Sequence, residues 1–112
     1  MKASERVVVD LSKVRDEASF HRAFADAMGF PGFYGANMDA WIDCMSYIDS
    51  PSAGMSRVTV KPGGTLELEL KGAGSFKKAR PELMAKLVEC TGSVNERFED
   101  SKDGTRIVLV EA

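Results

Sequence analysis

The sequence predicts an α/β fold in which a small, mostly parallel sheet is flanked by helices. Three β-rich runs, at 6–11, 66–70 and 106–110, carry this prediction because segments with helical periodicity separate them. Parallel strands need crossover connections, and the element order β-α-α-β-α-β supplies them. With 112 residues the chain is long enough to bury one core, so we expect residues 1–112 to form a single domain.

The first strand and the first helix are both clear in the pattern. The run RVVVDL at 6–11 is rich in β-branched residues, which predicts a strand buried on both faces. A helix is predicted over 18–28, and Gly29 and Pro31 end it. Its apolar face consists of Phe20, Phe24, Ala27 and Met28.

The second helix is expected to run from its N-cap Asn37 to about residue 48, before Pro51. A helical wheel separates two faces. The apolar face carries Trp41, Cys44, Met45 and Ile48, and the opposite face carries Asp39, Asp43 and Ser46 with Tyr47 beside them. Met38 and Ile42 flank the two aspartates. We therefore expect Trp41 to pack inward and the two aspartates to face water, and from these positions alone an ordinary solvated surface is the favoured interpretation.

The C-terminal half supplies the remaining elements. The segment 56–72 has two β-rich runs around KPGG, so it can form a hairpin that adds a fourth strand. The pattern from 75 to 98 is helical with an interruption near Pro81. Its expected core side is Leu83, Leu87, Val88, Val94 and Phe98. A turn at 100–105 then leads into the last strand.

Composition limits the function classes. A net charge of −2 disfavours direct nucleic-acid binding, and any electrostatic partner should be basic. No apolar run is long enough to span a membrane, and no signal-peptide pattern opens the chain. Cys44 and Cys90 both lie in apolar helical patterns, so we expect reduced, buried thiols and a cytoplasmic protein.

Catalysis has little support in the residue pattern. Asp39 and Asp43 lack a third acid or a histidine nearby in sequence, so they make a weak metal site. His21 is expected on the surface near the start of its helix, and Cys44 falls on a core face, which disfavours a nucleophile pair. We expect no enzyme activity, no metal and no cofactor.

The run FYGANMDAWIDCM at 33–45 resembles the signature of the barstar family, the intracellular inhibitors of barnase-type ribonucleases. The match is dense and ungapped there, and it extends more weakly over nearly the whole chain. The resemblance implies a barstar-like fold in which an acidic helix and the preceding loop cover the active site of a ribonuclease. It also implies an immunity or antitoxin role against an extracellular or toxin ribonuclease.

Roles for individual residues follow from this resemblance alone. It implies that Asp43 enters the cationic pocket meant for RNA phosphate and that Asp39 is a second acidic contact. Phe33 matches the loop aromatic that covers the catalytic base of the enzyme. The other expected contact or framework positions are Tyr34, Gly35, Asn37, Met38, Ala40, Ile42, Ser46 and Tyr47. A late acidic contact matches Asp100, with Glu99 as the alternative because the alignment there carries a gap.

The chain also departs from the family pattern. Phe33 stands where the family has a tyrosine, and Ile42 stands where it has a tryptophan. Tyr47 and Ile48 replace a glycine followed by a tryptophan, and the 50–64 stretch is longer than the family minimum. Because specificity depends on such contacts, barnase itself is not the expected target. We expect a monomer that forms a 1:1 heterodimer with a cognate basic ribonuclease. The alternative is a non-catalytic acidic module for a basic partner that is not a nuclease.

Overall fold

The fold is built around a three-stranded parallel sheet in a computed structural model that describes residues 4–101 and 104–112. The elements in chain order are β1 (Ser4–Asp10), α1 (Glu17–Met28), α2 (Met38–Met45), β2 (Thr65–Lys71), α3 (Ala73–Ala79), α4 (Pro81–Ser101) and β3 (Arg106–Glu111). Short 3-10 turns lie at Leu11–Lys13 and Pro51–Ala53. The predicted α/β class and the three strands are confirmed.

The strands lie in the order β1-β2-β3, and both neighbouring pairs are parallel. Val7 is paired with Leu68, which in turn is paired with Leu109. Each strand is therefore separated from the next by helices, as parallel neighbours require. Among the described residues, β1 and β3 are the edges of the sheet.

The two faces of the sheet differ in their exposure. The inner face is buried and consists of Val9, Leu66, Leu68, Leu70 and Ile107. On the outer face Val8 is 51% exposed, and Arg6 forms ion pairs with Glu67 (2.9 Å) and Glu69 (3.1 Å). The prediction that the 6–11 strand is buried on both faces is therefore wrong. A β-branched run fits a strand in either environment, and the position of the helices decides which face is covered.

The helix α2 is held by its apolar side chains in the core, where it packs against α4 and α1. Trp41 is fully buried, and its ring meets that of Phe24 of α1 edge to face with centroids 5.6 Å apart. Met45 and Ile48 are buried beside it. The prediction that Trp41 packs inward is confirmed. Regular helix ends at Met45 and continues as a turn, three residues before the expected end.

The segment before β2 does not form the predicted hairpin. The backbone N–H groups of Arg57 and Val58 donate to the carbonyl of Met28, and that of Val60 donates to Ile48. The Met28 carbonyl ends α1, and the Ile48 carbonyl lies in the turn that follows α2, so both are available to a partner outside the helices. The segment therefore follows the ends of α1 and α2 and stays out of the sheet.

The last helical region matches the predicted interruption at Pro81, which separates α3 from α4. The prediction that Val88 lies in the core is wrong, because its side chain is 55% exposed. The buried face of α4 instead contains Leu83, Met84, Leu87, Cys90, Thr91, Val94 and Phe98. Because α4 continues to Ser101, the turn predicted at 100–105 starts later than expected, and part of it, residues 102 and 103, lies outside the described residues.

Candidate protein-interaction site

The loop between α1 and α2, residues 30–37 and here called the aromatic loop, presents one large apolar side chain to solvent. Phe33 is 76% exposed, the highest value among the exposed large hydrophobic residues of the described chain. Its neighbour Tyr34 is half-buried, and its ring lies 4.7 Å from that of Phe30. The Tyr34 N–H donates to the carbonyl of Pro31, which closes the turn. An exposed aromatic on a closed turn is the type of feature that protein interfaces use as an anchor.

A hydrogen bond to a buried histidine fixes the base of the aromatic loop. The Tyr34 hydroxyl and His21 Nδ1 are 2.6 Å apart, and His21 is only 1% exposed. Burial raises the pKa of Tyr34 and lowers the pKa of His21, although the carboxylate of Glu17, 3.5 Å from Nε2, opposes the second shift. The prediction that His21 lies on the surface is therefore wrong. Tyr34 supports the loop from inside, with its hydroxyl directed to the core.

The join between the loop and α2 has a defined backbone geometry. Ala36 has a φ of 53°, a left-handed conformation that costs a non-glycine residue about 1–2 kcal/mol. The next residue, Asn37, is the N-cap, and its side-chain oxygen accepts from the Ala40 N–H at 2.8 Å. A Cβ added at Gly35 would lie 3.3 Å from Asn37 Nδ2. The sharp turn thus joins the loop that exposes Phe33 directly to the first turn of α2.

The two aspartates of α2 are both exposed, as predicted, and we call them the acidic stripe. Asp39 lies in the first turn, where a carboxylate complements the helix dipole. Asp43 follows one turn later, so the two carboxylates repel by a few tenths of a kcal/mol. Met38, Ile42 and Ser46 flank the stripe and are partly buried, and Tyr47 beyond it is exposed.

A cation from α4 meets the acidic stripe, a contact that the residue pattern did not indicate. Arg97 Nη1 donates to Ser46 Oγ at 3.1 Å and lies 3.4 Å from Asp43 Oδ1. The Ser46 hydroxyl donates in turn to the carbonyl of Ile42 at 2.6 Å. Arg97 and Asp43 are separated by 54 positions in the chain, so no local pattern could have joined them.

The two candidates for a late acidic contact, Asp100 and Glu99, differ in their position on α4. Glu99 lines a pocket at the start of β3 together with Thr105. Asp100 is exposed and follows Arg97 by three residues, which places both on one side of the helix. The side of α4 that faces the acidic stripe therefore carries Asp100.

The groups considered for catalysis are unsuited to it in this arrangement. Cys44 is buried, and burial together with neighbouring Asp43 raises the pKa of its thiol. Cys44 and Cys90 are both free and buried, as predicted. Within residues 4–101 and 104–112, no group of three or more histidine, cysteine, aspartate or glutamate side chains could hold a metal ion. No helix in the same residues is long and apolar enough to cross a membrane.

A family model described as barstar (barnase inhibitor) matches residues 5–110. The chain belongs to the barstar family. The proteins of this family are ribonuclease inhibitors and not enzymes, and the parallel sheet with its helices is the fold expected from the match. No curated protein matches the chain.

Proposed function

We propose that this protein is an immunity-type inhibitor of a basic ribonuclease made by the same cell, and that it acts in the cytoplasm. The observation that carries the proposal is the pair of exposed carboxylates, Asp39 and Asp43, immediately after a loop that exposes Phe33. Membership of the barstar family supplies the class of partner. The acidic net charge of −2 agrees with a basic one.

The mechanism is occupation of the active site. A ribonuclease holds its phosphate with several converging cations, and a carboxylate can take the place of that phosphate. Asp43 fills this position, because it lies in the middle of the exposed face of α2 and its side chain is 59% exposed. Desolvating the carboxylate is costly, but charge-assisted hydrogen bonds from several cations offset this cost. RNA is then excluded from the site.

The remaining residues frame this contact in a 1:1 complex. Asp39 supplies the second carboxylate, Phe33 covers the entrance of the enzyme site, and Tyr47 extends the contact beyond the stripe. Asp100 lies toward the rim, where a charge acts more on association rate than on affinity. The other expected positions shape the surface or hold it in place: Tyr34, Gly35, Asn37, Met38, Ala40, Ile42 and Ser46.

The test is to purify the tagged protein from its native cell, identify what elutes with it, and titrate the RNA cleavage by that partner. Asp43→Ala should weaken inhibition by several kcal/mol, mostly through faster dissociation, and this range is the one known for interfacial charges in the barnase–barstar complex of the same family. The matched control is Asp26→Ala, which removes an exposed carboxylate from α1 and should leave inhibition unchanged.

Two outcomes would contradict the proposal. A partner ribonuclease that Asp43→Ala inhibits as tightly as the wild type would remove Asp43 from the active-site contact. A partner without nuclease activity would favour the alternative, an acidic interaction module for another basic protein.

A further inference from the structure

The ion pair between Arg97 and Asp43 places a positive charge on the surface that the proposed function assigns to a basic enzyme. The guanidinium is 3.4 Å from the carboxylate, and the two side chains are 54% and 59% exposed. A basic partner that binds Asp43 therefore brings its cations close to Arg97. Like charges brought together in an interface disfavour binding.

The pair is weak enough to be exchanged. Ion pairs between exposed side chains contribute about 0–1 kcal/mol, because water screens them and long side chains lose freedom. Arg97 also has a second acceptor, Ser46 Oγ, which is the nearer of the two at 3.1 Å. The Ser46 hydroxyl is oriented by its own hydrogen bond to Ile42, so its oxygen stays available to the guanidinium. The guanidinium can thus leave Asp43 without losing every hydrogen bond.

We propose that Arg97 competes with the partner for Asp43 and so sets how strong a cationic pocket must be to bind this surface. A single lysine or arginine on an unrelated basic protein would form an ion pair with Asp43 that is little stronger than the pair with Arg97. A pocket with several converging cations offers more hydrogen bonds and displaces the guanidinium from Asp43 toward Ser46. Arg97 therefore costs every partner a similar factor in affinity, and a partner with a phosphate-type pocket keeps enough affinity to stay bound. This inference rests on the proposed function.

The decisive variant is Arg97→Gln, which keeps a polar side chain and removes the charge. It should bind the co-purified ribonuclease roughly two- to fivefold more tightly, the range that follows from losing one exposed competing pair. The association rate should rise, and its increase should shrink with added salt. The charge-matched control is Lys78→Gln, which removes one positive charge from an exposed side chain of α3. Arg97→Lys keeps the charge, so the salt dependence of its association rate should equal that of the wild type.

The effect on other basic proteins is measured with cytochrome c, which is not a nuclease. Arg97→Gln should increase binding to cytochrome c by a factor similar to that for the ribonuclease, and by more than Lys78→Gln does. When Arg97→Gln is introduced into the Asp43→Asn variant, binding should increase by no more than it does for Lys78→Gln, because the carboxylate for which Arg97 competes is then absent.

The results separate this inference from the proposed function. If Asp43→Ala leaves inhibition intact, the proposed function is wrong, and so is the proposal that Arg97 competes with the partner for Asp43. If Asp43→Ala weakens inhibition but Arg97→Gln binds equally or more weakly, only the role of Arg97 is overturned. A gain from Arg97→Gln that persists on Asp43→Asn would likewise overturn it, because competition for Asp43 could not be the cause.

Discussion

Replacing Tyr34 with phenylalanine tests whether the aromatic loop is held from inside the protein. The substitution keeps the ring and its contact with Phe30 and removes only the hydroxyl that meets His21 Nδ1 at 2.6 Å. His21 is almost fully buried, so no water replaces the lost partner easily. The cost therefore includes the lost hydrogen bond and the desolvation of a buried nitrogen left unpaired.

The expected loss of unfolding free energy is about 1–3 kcal/mol at pH 7, the usual cost when one buried partner is removed. The measurement is urea unfolding followed by the fluorescence of Trp41, the single tryptophan of the chain, which is fully buried. The chain has one other tyrosine, Tyr47, whose side chain is exposed. Tyr47→Phe is therefore the matched control, and it should change stability by less than about 0.5 kcal/mol.

A double-mutant cycle tests whether the loss of the hydrogen bond to His21 causes the destabilisation of Tyr34→Phe. Tyr34→Phe combined with His21→Leu should cost less than the sum of the two single substitutions, because the orphaned nitrogen is then gone. Inhibition of the partner by Tyr34→Phe should weaken as well, since Phe33 would no longer be presented on a fixed turn. A Tyr34→Phe protein as stable as Tyr47→Phe would refute the idea that this hydrogen bond anchors the loop.

Three further predictions concern stability. Burial lowers the folded-state pKa of His21, so the free energy of unfolding should be highest above pH 6.5, the reference pKa, and should fall as the pH drops toward the folded pKa. For His21→Gln, the free energy of unfolding measured with urea should change less between pH 6.5 and 5 than it does for the wild type. Gly29→Ala should destabilise more than Gly54→Ala in urea unfolding, because φ is nearly equal (69° and 68°) but only at Gly29 would the added Cβ lie 2.5 Å from the Cβ of Arg57; equal losses would contradict this. Asp43→Ala should change the free energy of unfolding by less than about 1 kcal/mol, since it loses one exposed ion pair and one repulsion of similar size, and a larger loss would give Asp43 a structural role.

The parts of the fold that the sequence predicted are those with a local cause. Asn37 is a cap because its side chain reaches an N–H three residues ahead, and Trp41 faces inward because the apolar positions of α2 repeat at helical spacing. The break at Pro81 is also local, since proline cannot continue a preceding helix. Each of these causes lies within one or two turns of chain.

The parts that the sequence did not predict depend on distant groups. The 57–60 segment resembles a strand in composition, but its N–H groups donate to the carbonyl of Met28 at the end of α1 and to that of Ile48 in the turn after α2. His21 would be a surface residue by type, and it is buried because Tyr34, thirteen positions away, supplies its partner. Val88 has the right spacing for the core of α4, yet α4 turns that side to solvent. The neighbours of each of these residues are set only once the helices have packed.

The acidic stripe shows how such distant contacts reconcile binding with stability. Two aspartates one turn apart destabilise a free helix by a few tenths of a kcal/mol, which the sequence alone leaves unexplained. In the fold, the helix dipole favours Asp39, and Arg97 from α4 offsets the charge of Asp43. Both interactions are weak and exposed to solvent, so they stabilise the free protein and still leave the carboxylates available to a partner. A partner with stronger cations can therefore replace Arg97 at little cost to the fold, which is the property that an inhibitor acting through a surface carboxylate requires.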